Sequence, residues 1–144
     1  MPISRMVFIS DVHIGIDAVT NWYQRAFHEP MLVAAFEWVI GQGAAIDELI
    51  LLGDVVDQWC YLPAVQPPSF AAIRAANPAI LGSVDGAIAR ALDALGGKVT
   101  WVAGNHDMAV GAGDVATLVD SKGRSPTFVT DFPYLRRALA PVIR

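Results

Sequence analysis

The stretch VTWVAGNHD, residues 99–107, joins an apolar run to a turn that carries an amide, an imidazole and a carboxylate. Residues 49–52 and 6–10 form similar short apolar runs earlier in the chain. None of the three runs alternates cleanly between apolar and polar residues, which is typical of strands covered on both faces. The sequence therefore predicts three buried strands at these positions.

Two helical patterns separate the three predicted strands. Residues 31–40 place apolar side chains on one helical face, with Pro30 in the first turn and a stop at Gly41 and Gly43. A second helix is predicted to start at Asn77-Pro78 and to continue to Gly96-Gly97. Strands that alternate with helices predict an α/β fold with a mostly parallel sheet, here β-α-β-α-β. A further short strand is expected at 127–130, followed by a turn at 131–134.

Polar side chains follow each of the three predicted strands. They are Asp11 and His13 after the first, Asp54 and Asp57 after the second, and Asn105, His106 and Asp107 after the third. The carboxyl ends of parallel strands meet at one edge of a sheet, so these residues are expected to converge. Carboxylate, imidazole and amide groups together suit divalent Mn, Fe, Zn or Mg. A carboxylate can bridge two such ions, and Asp54 is the candidate for that position. A pair of ions would activate water for attack on phosphorus.

Taken in order, these residues resemble the calcineurin-like metallophosphoesterase superfamily. The matching patterns are Asp-x-His at 11–13, Gly-Asp-x-x-Asp at 53–57 and Gly-Asn-His-Asp at 104–107. The resemblance implies metal-dependent hydrolysis of a phosphoric mono- or diester at a site with two divalent ions. The family acts on varied phosphoesters, and we expect the substrate here to be a phosphorylated small molecule or a nucleotide.

The resemblance also implies a role for each matching side chain. Asp11 and His13 would hold the first ion, Asp54 would bridge the two, and Asn105 would hold the second. His106 would assist the leaving group and Asp107 would orient His106. Asp57 would support the ligands from behind or have a structural role.

The remaining metal ligands of the family are histidines that this chain does not supply. They are one lone histidine and a Gly-His-x-His pair further along, whereas the three histidines here are His13, His28 and His106. The match thus covers the N-terminal half of a fold made of two packed sheets flanked by helices. We expect residues 1–144 to form one truncated domain whose missing half lies in a longer enzyme. The alternatives are a domain that has lost catalysis, or a non-catalytic metal-binding or interaction half-domain completed by another chain.

Residues 59–80 form a candidate insert directly after the second motif. Trp59, Tyr61 and Phe70 lie in it among three prolines, so the insert could cap the metal site and select an apolar or ring-bearing substrate group. The alternatives are a proline-stiffened surface loop and an interface for a partner. Outside the motifs, Asp17 and His28 are expected to serve the start of a helix, and Cys60 is expected to be a small buried apolar residue.

Composition limits the remaining possibilities. Of 144 residues, 54% are hydrophobic and 17% are charged, which is typical of a folded chain with a substantial core. The net charge of −4 argues against binding of extended nucleic acid. No apolar run reaches the length of a membrane span, and the single cysteine cannot form an internal disulfide. We therefore expect a cytoplasmic protein.

Overall fold

The structure is a computed structural model and describes residues 4–130. One parallel sheet contains four strands in the order β1-β2-β3-β4. The strands are β1 (Met6–Ile9), β2 (Glu48–Leu52), β3 (Val99–Val102) and β4 (Thr127–Val129). The predicted α/β class and parallel sheet are therefore confirmed, and the fourth strand pairs with β3. The turn predicted at 131–134 lies outside the described residues.

Five α-helices accompany the sheet in the described part of the chain. They are α1 (Arg25–Gln42), α2 (Phe70–Ala76), α3 (Pro78–Leu81), α4 (Ala87–Ala94) and α5 (Ala112–Val115), and a 3-10 turn follows α1 at Gly43–Ala45. None of the helices within residues 4–130 has the length and apolar character needed to cross a membrane.

The core lies between one face of the sheet and the packed helices α1 and α4. Because strands in register present aligned residues to the same face, Leu51 and Trp101 point to one side. Both are fully buried in a cluster that includes Phe36 of α1 and Leu92 of α4. This packing fixes the strands, and with them the loops that leave their carboxyl ends.

Helix α1 begins six residues earlier than the sequence predicts. Pro30 was expected in the first turn, but α1 starts at Arg25 and Pro30 lies in its second turn. The start is stabilised by Asp17, whose Oδ1 accepts from the backbone N–H of Arg25 at 2.7 Å. His28 Nδ1 accepts from the N–H of Gln24 at 2.9 Å. The helix-start roles expected for Asp17 and His28 are confirmed.

The long helix predicted from residue 78 to residue 95 is interrupted. Helix α3 ends at Leu81 and α4 begins only at Ala87. Gly82 and Gly86 approach so closely that a Cβ on Gly86 would overlap the carbonyl oxygen of Gly82. The helical spacing of apolar residues continues across residues 82–86 because both short helices face the same core. This spacing alone could therefore not reveal the break.

Candidate metal centre

Backbone hydrogen bonds hold the three strand-end loops together. His13 N–H donates to the carbonyl of Asp54 at 2.8 Å, and Gln58 N–H donates to the carbonyl of His106 at 3.0 Å. Ile14 pairs with Val56 in an isolated parallel bridge. The first and second loops thus continue side by side beyond the sheet, and the third is tied to the second.

Three of the predicted site residues have a left-handed backbone. The φ angles are 55° at Asp11, 58° at His13 and 53° at Asp54. A residue with a Cβ is uncommon in this region and pays a conformational penalty on the order of 1 kcal/mol. Such strain persists where surrounding pairing over-determines the chain, and it concentrates at functional sites.

Glycines allow the second and third loops to approach each other. Gly53 has a φ of 75°, and a Cβ on it would lie 3.1 Å from the Cα of Gly104. A Cβ on Gly104 would overlap Oδ1 of Asp54 and would lie 2.6 Å from the Asp54 nitrogen. The Asp54 carboxylate is therefore seated directly on the backbone of the third loop, where Oδ1 accepts from His106 N–H at 2.8 Å.

Side-chain donors converge on the space beside His13. Its Nε2 lies 4.0 Å from Oδ1 of Asp11 and 3.9 Å from Oδ2 of Asp54. One donor atom each from His13, Asp54 and His106 lies within 4.8 Å of the others. One carboxylate and two imidazole nitrogens at this separation, with the Asp11 carboxylate beside His13, are donors that fit a divalent cation.

Asp57 is fully buried beneath this cluster. Its Oδ1 accepts from the N–H groups of Trp59 at 2.8 Å and Cys60 at 2.9 Å, and lies 3.3 Å from Nδ1 of His106. Burial opposes ionisation, but the backbone donors of Cys60 and Trp59 outweigh it and lower the pKa of Asp57. Its Oδ2 has no hydrogen-bond partner and lies 3.9 Å from Nδ1 of His13. One ionised carboxylate thus faces both imidazole rings.

Asp107 occupies a different position from the one implied by the family resemblance. It is fully buried, and its carboxylate accepts from the backbone N–H groups of Val55, at 3.0 Å, and Gly104. Burial raises the pKa of Asp107 despite these donors. The carboxylate seen in contact with the His106 ring belongs to Asp57. Asp107 instead joins the second and third loops.

A cleft of about 460 Å³ is lined by Asp11, His13, Asp57 and His106. Two of its lining residues, Trp22 and Cys60, were missed by sequence reasoning. Cys60 was expected to be buried, but it is partly exposed, with Sγ 3.7 Å from Nδ1 of His106. Burial, followed by the neighbouring Asp57, raises the pKa of its thiol. The sequence did carry a signal for this position, because Cys60 follows Asp57 by three residues and the turn at Asp57 places it in the cleft.

Asn105 is exposed and lies beside the main cleft. It lines an adjoining pocket of about 140 Å³ together with His106, Trp59 and Met108. His106 therefore stands between the Asp11–His13 side and the Asn105 side. The arrangement leaves Asn105 accessible to a ligand in the smaller pocket.

The three aromatic residues proposed to contact substrate have different environments. Trp59 is 58% exposed, and its ring centroid lies 5.0 Å from that of His106. Tyr61 is partly buried and donates its hydroxyl to the carbonyl of Asp57 at 3.1 Å, so it supports the turn. Phe70 is the first residue of α2 and is buried against Trp101, so its side chain lies in the core. Trp59 remains the candidate of the three.

The chain matches the family of calcineurin-like phosphoesterases over residues 4–140. It therefore belongs to that family, whose members are metal-dependent phosphoester hydrolases. A search of curated proteins found no match.

Proposed function

We propose that this domain hydrolyses a phosphoric mono- or diester in the cleft at the strand ends. The observation that carries the proposal is the convergence of Asp11, His13 and Asp54, each held in a strained backbone conformation at one edge of the sheet. The substrate class is a phosphorylated small molecule or a nucleotide. A net charge of −4 disfavours an extended nucleic acid.

In this proposal, Asp11, His13 and Asp54 hold the first of two divalent ions. Asp54 and Asn105 would hold the second, and Asn105 is accessible in the smaller pocket beside His106. Manganese, iron, zinc and magnesium are all compatible with oxygen and nitrogen donors of this kind. When bound, such ions supply Lewis acidity that lowers the pKa of water and offsets negative charge on the phosphoryl group.

His106 is the residue that would handle a proton in this site. A carboxylate only accepts hydrogen bonds, so the contact at 3.3 Å between Asp57 Oδ1 and His106 Nδ1 assigns the proton to Nδ1. The other ring nitrogen, Nε2, is then free to donate a proton to the leaving oxygen when the imidazole is charged. Asp57 is the positioning residue for His106 in this scheme, and Asp107 fixes the loop that carries it.

The test is hydrolysis of aryl phosphate mono- and diesters with added manganese. Asp54→Asn is expected to abolish turnover, whereas Asp85→Asn, which removes an exposed carboxylate in the loop between α3 and α4, is expected to leave it unchanged. His106→Gln is expected to slow phenyl phosphate more than 4-nitrophenyl phosphate, because the more basic leaving group depends more on a proton donor. Equal activity of Asp54→Asn and wild type would refute the proposal.

A second candidate function is a metal-binding half-domain whose site is completed by another polypeptide. The consideration that favours it is that the proposal assigns only two residues within 4–130, Asp54 and Asn105, to the second ion. The third histidine, His28, is not part of the cluster, because it packs against Trp22 at the start of α1. Manganese stoichiometry distinguishes the candidates: two ions bound by this chain favour the complete enzyme, and one favours the half-domain.

The segment at 59–80 and the cellular location remain predictions. The irregular part of the segment exposes Trp59, Leu62 and Val65 beside the smaller pocket and along its own loop. Truncation of this loop would test its role in substrate selection through KM for bulky and small esters. Fractionation of cells that express the tagged full chain would test the cytoplasmic location.

A further inference from the structure

A second cavity lies between the end of β1 and helix α1. Its volume is about 290 Å³, close to the lower end of the range for small-molecule sites. Most of its wall is apolar, and the apolar lining residues are Ile9, Val12, Trp22, Met31, Leu32 and Ala35. This apolar groove is not used by the phosphoester chemistry described above.

The groove has an exposed but ordered wall. Trp22 is 64% exposed and Met31 is 72% exposed, although both side chains are large and apolar. The Trp22 ring stacks on His28, with centroids 4.7 Å apart and planes at 27°, and His28 is itself fixed by the N–H of Gln24. Contiguous exposed apolar surface around a preformed concavity marks a binding site.

The groove is continuous with the metal cleft. Asp11 and Trp22 line both cavities, so Trp22 forms a wall shared by the two. A ligand that spans them would place its charged end beside His13 and Asp54. Its other end would meet the apolar groove, where a phosphate would lose its hydration and would find no Lys or Arg among the lining residues.

We propose that the groove binds the apolar portion of the substrate, so that the domain prefers phosphoesters that carry an alkyl or aryl group over small polar ones. The inference rests on the proposed function, because the phosphoryl end of the ligand is placed in the cleft. The occupant follows from the continuity of the two cavities and from their lining residues, because carboxylates and imidazoles line the cleft whereas most side chains of the groove are apolar. Each methylene buried there strengthens binding about fourfold, from roughly 0.8 kcal/mol per group.

Binding of two non-hydrolysable phosphonates tests the proposal without requiring turnover. Isothermal titration calorimetry with added manganese would compare n-hexylphosphonate with methylphosphonate. The proteins would be wild type, Trp22→Ala, Met31→Ala, Asp54→Asn and the control Trp38→Ala. Trp38 is a suitable control, because it is 58% exposed on α1, the helix that carries Met31, and does not line the groove. Melting temperatures would show that each variant is folded.

Wild type and Trp38→Ala are expected to bind hexylphosphonate at least tenfold more tightly than methylphosphonate. Met31→Ala is expected to reduce this ratio severalfold while methylphosphonate affinity is retained, because Met31 lines the groove and not the cleft. Trp22→Ala, which alters the wall shared by the two cavities, is also expected to reduce the ratio. Equal affinity for the two ligands in wild type would overturn the inference, as would a ratio that neither groove variant changes. If wild type binds neither phosphonate, the inference is overturned as well.

The Asp54→Asn variant separates the inference from the proposed function. If the phosphoryl end lies in the cleft, this variant should weaken both phosphonates and preserve their ratio. If it leaves both affinities unchanged while Trp22→Ala still lowers the ratio, the groove is an apolar site and the proposed metal function fails. If the groove instead binds a protein partner, wild type would not discriminate between the two phosphonates. That result would contradict the inference.

Discussion

Gly104→Ala is the substitution whose consequence follows most directly from the geometry of the site. A Cβ at this position would overlap Oδ1 of Asp54 and would lie 2.6 Å from the Asp54 nitrogen. Rotation of a side chain cannot relieve the second contact, because it involves the backbone. The two loops must separate by about 0.8 Å to restore an ordinary contact of 3.4 Å.

This displacement affects both the free energy of unfolding and the metal affinity. Overpacking of this kind costs about 1–3 kcal/mol of stability. A shift of about 0.8 Å also exceeds the tolerance of roughly 0.5 Å within which a site retains its productive geometry. We therefore expect manganese affinity to fall about 10- to 100-fold, the range seen when ligand positioning is disturbed.

Gly41→Ala is the matched control, because a Cβ there meets nothing within 4 Å and the residue lies inside α1. It should leave metal affinity unchanged and stabilise the helix by about 0.5–1 kcal/mol. Urea denaturation without metal and calorimetric titration with manganese measure the two effects. If Gly104→Ala retains wild-type stability and affinity, the proposed seating of Asp54 on the third loop is wrong.

Three further substitutions test the packing and the electrostatics around the sheet. Phe70→Ala should lower the free energy of unfolding by about 3–5 kcal/mol in urea denaturation, because it empties core space beside Trp101; a change in KM with unaltered stability would contradict the buried position. Asn77→Ala should cost about 2 kcal/mol, since the Asn77 amide donates to the buried carbonyls of Gly15 at 2.7 Å and Ile73 at 2.8 Å; an unchanged urea midpoint would refute this. Asp120→Asn should lower the melting temperature by several degrees at pH 7. Burial opposes ionisation of Asp120, but hydrogen-bond donors led by Arg124 outweigh it and lower the pKa of this carboxyl group. The ionised side chain therefore stabilises the fold at pH values above the pKa of an unfolded aspartate. This stabilisation is lost as the pH falls through the lower pKa of the folded state. The difference in melting temperature from wild type should shrink in acid, and a constant difference would argue against it.

The sheet could be predicted from the sequence because its strands are buried and short. Residues 49–52 and 99–103 lie within one residue of the observed bounds of β2 and β3. A short run without polar alternation is typical of a strand covered by helices, and the polar residues at its end indicate the edge of the sheet. The convergence of Asp11, His13 and Asp54 follows from the parallel order alone.

Tertiary contacts decided the features that the sequence did not reveal. Helix α1 starts early because Asp17 and His28 cap it, although no Ser, Thr, Asp or Asn directly precedes Arg25. Phe70 follows a proline-rich loop that leaves the edge of the sheet with the candidate metal centre, but α2 turns its ring into the core. Trp22 reaches the cleft from a loop whose course depends on buried contacts of Asn21, whose Oδ1 accepts from Ile16 and Ala18.

The central claim is that the three strand ends hold a divalent cation through Asp54. Titration of the protein with manganese, followed by the loss of the free-ion signal in electron paramagnetic resonance, measures this without any assumption about substrate. The account predicts stoichiometric binding by wild type and by the control Asp85→Asn, and at least a hundredfold weaker binding by Asp54→Asn. Equal manganese binding by Asp54→Asn and Asp85→Asn would contradict it.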